Sequence, residues 1–239
     1  ALLLGLVCLL MMFVGHVSLM RIGRLLLILL LLSAALLGLS KIAPETTHKV
    51  FPRLETWGNR LTEHIDDRAS ESDLIKDDSQ YVIDDDNYQV SHAKIAIARG
   101  GLFGRMPGRS VQRDFLPLAY SDFIFAIIIE ELGIVGGTVV LLLYIMLLIR
   151  VGIIARRCEL LFPKYLVIGC GLMIVIQALT NMAVAVNLMP VTGQPLPLIS
   201  RGGTSTVLTC LYFGIILSVS RFGAGMGENE AAEEEEVEL

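Results

Sequence analysis

Residues 190–205 form a segment rich in proline and glycine between two long apolar stretches. Its sequence is Pro-Val-Thr-Gly-Gln-Pro-Leu-Pro-Leu-Ile-Ser-Arg-Gly-Gly-Thr-Ser, with three prolines and three glycines. Both residue types oppose the continuation of a helix. At membrane depth, non-helical backbone is tolerated only where protein or a water-filled cavity surrounds it. We therefore predict that this Pro/Gly loop lines a site.

The rest of the chain is dominated by apolar stretches. Hydrophobic residues make up 54% of the 239 residues, which is more apolar surface than a soluble domain can bury. A transmembrane helix needs about 20 apolar residues, and stretches that reach or approach this length lie at 1–20, 22–41, 123–149, 165–188 and 204–220. The sequence predicts an all-α integral membrane protein, a polytopic helical bundle with about five transmembrane helices and a long external loop.

Lysine and arginine set the predicted orientation, because they concentrate in cytoplasmic connections. Basic residues cluster at 21–24 and at 150–164, which places both connections in the cytoplasm. The predicted organisation is two transmembrane helices in 1–41, an extracytoplasmic loop in 42–121, three transmembrane helices in 122–221 with an external loop at 189–203, and an acidic cytoplasmic tail in 222–239.

The formal net charge of −5 is set by the tail, because residues 228–238 include seven glutamates. Nothing in the charge pattern indicates a surface for nucleic acid. The four cysteines lie in apolar stretches and one short basic connection, which predicts neither a disulfide framework nor a metal cluster. No cofactor motif is identifiable, and a divalent cation is left open.

The external loop has two parts of different character. Residues 66–88 are acidic and polar and predict a solvated loop. Residues 88–99 predict a short amphipathic helix at the membrane surface, with apolar side chains at Val90, Ala93, Ile95, Ile97 and Ala98. The pair Gly100-Gly101 is typical of a helix end.

Asp122 stands between the external loop and the apolar stretch that begins at Phe123. Aspartate is a favoured N-cap, and its charge complements the helix dipole. A partly desolvated carboxylate at the external membrane surface can also act as a general base. The two interpretations are compatible.

Glu130 and Glu131 lie within the same apolar stretch, where ionisable groups are costly and usually functional. Successive helical residues are about 100° apart, so the two carboxylates cannot face one cavity. We expect Glu131 to pair with an arginine or a backbone donor of a neighbouring helix. For Glu130, a structural and a functional role are equally favoured.

Polar residues also interrupt the stretch at 165–188. They are Gln177, Thr180, Asn181 and Asn187, and such residues most often hydrogen-bond between helices, with cavity lining as the alternative. Arg105, Arg109 and Arg113 are spaced four apart before Asp122. Guanidinium groups suit phosphate and carboxylate, and attraction to anionic lipid headgroups is the alternative.

Four stretches, in chain order, resemble the SEDS family. They are Tyr88-Gln89 with Ala98-Arg99-Gly100-Gly101-Leu102-Phe103-Gly104, Leu116-Pro117 with Ser121-Asp122-Phe123-Ile124-Phe125-Ala126 and Glu130-Glu131-Leu132-Gly133, the pair Gln177 and Asn181, and the Pro/Gly loop. Met11-Met12-Phe13 leading to Arg21 resembles the sixth of the family's ten helices. We therefore expect this chain to hold helices six to ten.

The resemblance implies a peptidoglycan glycosyltransferase of the bacterial cytoplasmic membrane, which polymerises lipid II on the external face. The family's essential acidic residue corresponds to Asp122, as the base that takes the proton of the attacking sugar hydroxyl when undecaprenyl diphosphate leaves. The implied substrate-binding residues are Arg105, Arg109, Arg113, Gln177, Asn181, Thr192, Pro197, Ser200, Gly202 and Gly203, with Glu130 and Gln89 as further candidates. The implied partners are lipid II, a class B penicillin-binding transpeptidase and membrane lipids.

Some positions depart from the family pattern or refine it. Tyr120 stands where a histidine is frequent, and Arg201 where an aromatic residue is usual. Two segments favour the division branch of the family, which acts at the septum, over the elongation branch. They are Ser110-Val111-Gln112 and the sequence Leu-Pro-Leu-Ile-Ser at 196–200.

Two other functions share part of this pattern. A lipid II flippase or transporter also needs a cavity, external arginines and buried carboxylates, but no base at Asp122. A non-catalytic membrane scaffold of the division machinery would account for the large loop and leave the Asp122 segment and the Pro/Gly loop unexplained. Sequence alone does not separate these functions from the glycosyltransferase.

Overall fold

The computed structural model describes residues 2–42, 88–116 and 120–237, together with Thr62 and Ile65. All the regular structure in these residues is helical, which confirms the all-α prediction. The helices are α1 Leu2–Val14, α2 Leu19–Ile42, α3 Tyr88–Gly100, α4 Ile124–Arg157, α5 Leu161–Ala185 and α6 Gly203–Val237, with a 3₁₀ turn at Gln112–Asp114. The acidic part of the external loop lies outside the described residues, so the prediction of a solvated loop is not tested there.

Among the described residues, three helices are long and apolar enough to cross a membrane. They are Ile124–Arg157, Leu161–Ala185 and the Gly203–Arg221 part of α6. The chain is therefore a multi-pass membrane protein. The first predicted span is shorter than expected, because the chain turns at His16, whose φ is 54°. Arg21 consequently lies inside α2 and not in the connection between the first two helices.

Local sequence explains both ends of α5. Pro163 lies in its first turn, where a backbone N–H has no acceptor within the helix. The helix ends at Ala185, and Asn187 just beyond it adopts a left-handed conformation with a φ of 57°. The amides of Leu188 and Asn187 donate to Ala183 O (2.8 Å) and Val184 O (3.0 Å), the bonding pattern of a Schellman cap. Asn187 therefore lies in the C-terminal cap of the helix and is not a polar residue within a span.

Helix α4 is broken at Gly133, although the sequence predicts one continuous span over 123–149. Gly133 has a φ of 76° and a ψ of −176°, a conformation that is essentially restricted to glycine. The break divides α4 into two half-helices, 124–132 and 134–157. The longer half-helix rises about 36 Å at 1.5 Å per residue, which is enough to cross the hydrocarbon core by itself.

The short half-helix folds back beside the long one. A Cβ atom at Gly137 would lie 2.9 Å from the Ile129 side chain and 3.4 Å from the Phe125 ring. In a continuous helix these residues would be separated from Gly137 by a rise of about 12 Å and about 18 Å. The contacts therefore require a sharp reversal at Gly133, which returns the Asp122 end of α4 toward the bundle.

The turn at residues 101–106, which follows α3, bonds to the backbone on both sides of the break. The amides of Arg105 and Met106 donate to Glu130 O and Glu131 O, both at 3.0 Å. In return, the amides of Ile134 and Val135 donate to the carbonyls of Gly101 (2.9 Å) and Leu102 (3.3 Å). The turn thus supplies the hydrogen bonds that the broken helix has lost, as non-helical backbone at this position requires.

Small residues allow α3 to approach α4 closely. The helix predicted at 88–99 is confirmed, but its buried face is formed by Ser91, Ala93, Ala96 and Gly100. Ile95 and Ile97 are only half-buried, which corrects the expected apolar face. A Cβ atom at Gly100 would lie 2.0 Å from Ile129 O, so this face packs directly on the backbone of the short half-helix. A position at the membrane surface stays a prediction.

Candidate active site

Asp122 lies immediately before the short half-helix of α4, and its side chain is half-buried. Its Oδ1 accepts a hydrogen bond from Ser121 Oγ at 2.9 Å. Its Oδ2 lies 3.6 Å from the position that a Cβ atom would occupy on Gly193 of the Pro/Gly loop. The carboxylate therefore faces the Pro/Gly loop.

The carboxylate of Asp122 does not cap the helix. The N-cap position of α4 is Phe123, and no side chain caps it. The capping interpretation of Asp122 is therefore wrong for this structure, because the helix begins one residue later than a cap at 122 would require. An acidic side chain without a capping role is available for chemistry.

The Pro/Gly loop enters the helix bundle between α5 and α6. Leu196, Pro197 and Ser200 are buried, and the amide of Leu196 donates to Ser200 Oγ at 2.7 Å. Prolines supply no N–H to be satisfied in this buried stretch, which reduces its demand for hydrogen bonds. The carbonyl groups still need donors, because a buried backbone oxygen without a partner is costly.

Side chains from two membrane helices supply these donors. Asn181 Nδ2 donates to Gln194 O at 2.7 Å, Gln177 Nε2 donates to Pro195 O at 3.0 Å, and the Tyr144 hydroxyl donates to Pro197 O. Gln177 and Asn181 therefore bond to the loop. Gln177 Nε2 also donates to Ser205 Oγ of α6 at 3.5 Å, which is an interhelical bond of the kind that the sequence suggested. The role of Tyr144 was not predicted from the sequence, although a tyrosine in an apolar span usually needs a partner for its hydroxyl.

The loop is also bonded to the residues around Asp122. Ser200 Oγ donates to Ser121 O at 2.5 Å, and the amide of Arg201 donates to Tyr120 O at 2.8 Å. Asn181 Nδ2 bridges the two segments, because it donates to Asp122 O at 2.8 Å as well as to the loop. The predicted return of the Pro/Gly loop to the start of the third span is confirmed.

The glycine with a special role in this loop is Gly193, which the sequence analysis did not select. Its φ is 66°, whereas a Cβ atom at Gly203 would meet nothing within 4 Å. At Gly202 the nearest contact would be an ordinary 3.4 Å to the Ser205 side chain. Within the described residues, no close backbone contact therefore requires a glycine at Gly202 or Gly203. Gly193 is favoured by its left-handed backbone, and an added Cβ atom would be in ordinary contact with Asp122 Oδ2 at 3.6 Å.

Two polar atoms near this junction lack partners within the described residues. They are Asn181 Oδ1 and Thr192 Oγ1, and both are buried. Asn181 is 1% exposed, and only its amide nitrogen makes hydrogen bonds to the described residues. The roles of both residues toward substrate stay predictions. In the described part of the chain, no group of three or more His, Cys, Asp or Glu side chains could hold a metal ion.

The candidate arginines lie on the segment that follows α3. Arg105 and Arg109 are exposed, and Arg113 Nε lies 3.5 Å from Asp114 Oδ1. The guanidinium groups of Arg105 and Arg109 make no ion pair within the described residues. Gln89 is half-buried in the first turn of α3, with no hydrogen bond to its side chain in the same part of the structure.

The contacts of Glu130 and Glu131 differ from the sequence expectation, in which Glu131 had a structural role and the role of Glu130 was left open. The Glu130 side chain is fully buried and accepts hydrogen bonds from Ser110 Oγ and from the amides of Val111 and Gln112. The carboxylate of Glu131 is half-buried and has no hydrogen bond or ion pair within the described residues. The structural role thus belongs to Glu130.

Comparison with known proteins places this arrangement in a family. The model of the FtsW, RodA and SpoVE cell cycle proteins matches residues 1–224. The chain belongs to this family. The SEDS resemblance seen in the sequence is therefore confirmed, over nearly the whole chain except the acidic tail.

Individual SEDS relatives carry informative names. A probable peptidoglycan glycosyltransferase FtsW of Xanthomonas oryzae pv. oryzae is 36% identical over 203 residues, which cover 83% of this chain and 37% of that protein. Peptidoglycan glycosyltransferase MrdB of Escherichia coli K12 is 39% identical over 134 residues, 55% of this chain and 36% of that protein. The chain thus spans little more than a third of the length of these relatives.

A solved structure is similar as well, and it belongs to work on "Structural coordination of polymerization and crosslinking by a peptidoglycan synthase complex". The matched chain is 26% identical, with a TM-score of 0.48, over 79% of this chain and 49% of that one. This likeness is too weak to establish a partner, so the transpeptidase stays a prediction.

Asn181→Ala is expected to destabilise the junction between the loop and Asp122. The substitution leaves the carbonyls of Asp122 and Gln194 without their donor, and a buried polar group that is left without its partner costs about 1–3 kcal/mol. The free energy of unfolding in detergent should fall by about 2–3 kcal/mol. Thr180→Ala is the matched control, because its hydroxyl bonds only to Ile176 O of its own helix. Equal losses for both variants would contradict the anchoring role.

Proposed function

We propose that this chain forms part of a peptidoglycan glycosyltransferase that polymerises lipid II during septal cell-wall synthesis. The observation that carries the proposal is the setting of Asp122. Its half-buried carboxylate makes no helix cap and lies against the Pro/Gly loop. Membership of the family, and relatives whose names include peptidoglycan glycosyltransferase, support the reaction class.

In the proposed mechanism, Asp122 acts as the general base. Its carboxylate removes the proton from the attacking sugar hydroxyl, the oxygen forms the new glycosidic bond, and undecaprenyl diphosphate leaves with the electrons of the broken bond. Ser121 Oγ, which donates to Oδ1, leaves Oδ2 on the side of the Pro/Gly loop to receive the proton. A positioned base typically contributes a factor of about 100–10,000 in rate.

The exposed arginines are proposed to stabilise the leaving diphosphate. Arg105 and Arg109 carry rigid guanidinium groups, which suit phosphate oxygens. Charge that develops on the leaving group is best stabilised by groups that are already held in place. The same proposal places the active site on the external face of the membrane and the protein at the septum. It also includes a class B penicillin-binding transpeptidase as partner and assigns the chain to the division branch of the family.

Purified full-length protein with its transpeptidase should lengthen glycan strands from lipid II. The strands can be resolved on gels after labelling, and the reaction should continue when the transpeptidase active site is blocked. Transfer of lipid II across vesicle membranes without strand growth would favour the flippase. Neither activity would favour a scaffold.

A further inference from the structure

The buried carboxylate of Glu130 holds the segment that carries the candidate arginines. Its Oε2 accepts from Ser110 Oγ at 2.5 Å and from the amide of Gln112 at 3.3 Å. Its Oε1 accepts from the amide of Val111 at 3.3 Å. Both carboxylate oxygens of Glu130 are therefore engaged, by one side-chain donor and two backbone donors of the same short segment. The side chain is 0% exposed, so water does not replace these bonds.

The main chain of the same residue fixes the other end of that segment. The amide of Arg105 donates to Glu130 O at 3.0 Å. One residue of the short half-helix thus fixes the backbone at position 105 and at positions 110–112. Ser110 Oγ also accepts from the amide of Arg113 at 3.2 Å, which extends the contact to the third arginine.

Asp122 lies at the start of the same half-helix that carries Glu130. A helix of nine residues is short and stiff, so a group fixed to one end has a defined distance to a group at the other end. The arginine segment is bonded near residue 130, and the general base stands before residue 124. Glu130 therefore links the two parts of the proposed active site through a single rigid element.

We propose that Glu130 is a positioning residue, which sets the placement of Arg105, Arg109 and Arg113 relative to Asp122 without touching the reacting atoms. The proposal rests on the proposed function for the roles of these groups. The placement itself can be measured without any activity. Glu131 provides a matched control, because it is the adjacent carboxylate and its side chain bonds to nothing in the described part of the chain.

The first measurement is amide hydrogen exchange on the full-length protein in lipid nanodiscs. In Glu130→Ala, the amides of Val111 and Gln112 should exchange at least about tenfold faster, because each loses its acceptor. Exchange within residues 161–176 of α5 should not change, which excludes general unfolding. Glu130→Gln keeps one acceptor oxygen but places N–H donors on its other side, so it should release one of the two amides and protect the other. Glu131→Ala should leave both amides as they are.

The second measurement is steady-state polymerisation of lipid II by the same proteins with their partner. Misplacement by about 1 Å can cost a factor of about 100 in rate, so Glu130→Ala should lower kcat/KM by about that factor, mainly through kcat. Glu130→Gln should recover part of the loss, and Glu131→Ala should retain wild-type values.

Each other result overturns the proposal. Unchanged exchange in Glu130→Ala would mean that the carboxylate does not hold the segment. Lost activity with unchanged exchange would assign Glu130 to the chemistry itself, and faster exchange with full activity would show that the placement is irrelevant. If the wild-type protein fails to polymerise lipid II, the proposed function fails, while the exchange data still report on the placement.

Discussion

Asp122→Asn is expected to abolish polymerisation while leaving the fold intact. An amide cannot accept the proton of the attacking hydroxyl, so the rate should fall by a factor of about 100 or more. The fold should survive, because Asn Oδ1 can accept the hydrogen bond that Ser121 Oγ now donates to the carboxylate. The contacts to α5 and the Pro/Gly loop use the backbone of this segment, which the substitution does not alter.

The matched control for this substitution is Asp114→Asn. Asp114 is also an aspartate before α4, but its side chain is 75% exposed and pairs with the neighbouring Arg113. Strand synthesis from lipid II, normalised to the amount of folded protein in the membrane, should be lost only in the Asp122 variant. Activity in Asp122→Asn close to wild type would remove the base from the proposed mechanism.

Gly133→Ala is expected to be strongly destabilising. A Cβ atom at this position would lie 2.2 Å from Leu102 O and 2.5 Å from Gly104 N. These are backbone atoms of the turn that fills the helix break, so they cannot move away independently. Strain in this region of φ and ψ costs about 1–3 kcal/mol, and displacement of the turn adds to it. The free energy of unfolding should fall by about 3 kcal/mol or more.

Gly101→Ala separates backbone strain from the contact at the break. Gly101 also has a positive φ, +54°, but an added Cβ atom would meet nothing within 4 Å. Its substitution should cost only about 1–2 kcal/mol, the strain of a left-handed residue. Denaturation in detergent can compare the two variants directly. Similar costs would mean that the turn is not docked in the break.

Much of the fold could be predicted because it depends on local patterns. Long apolar stretches predicted α4, α5 and α6, since the bilayer demands such lengths. Gly100 predicted the end of α3, and the proline and glycine content of the Pro/Gly loop predicted the non-helical segment between α5 and α6. The general position of the site followed from the same reasoning, because a non-helical segment between spans must be enclosed by protein.

The predictions failed where the outcome depended on contacts between distant residues. Glu130 and Glu131 are neighbours of the same type, and only the position of Ser110 and the two following amides gives Glu130 its bonds. Gly193 and Gly203 are equally permissive in sequence. The structure makes Gly193 special because its backbone is left-handed and lies beside Asp122.

The sequence by itself determined that this chain is a helical membrane protein with a buried Pro/Gly loop and an acidic residue at the start of a span. Hydrophobic length and the conformational limits of proline and glycine are properties of each segment alone. Only the tertiary structure decided that α4 breaks at Gly133 and folds back to bring Asp122 to Asn181 and the loop. A helix break is tolerated only when another segment supplies the missing hydrogen bonds, and here that segment is the turn after α3, which is distant from the break along the chain.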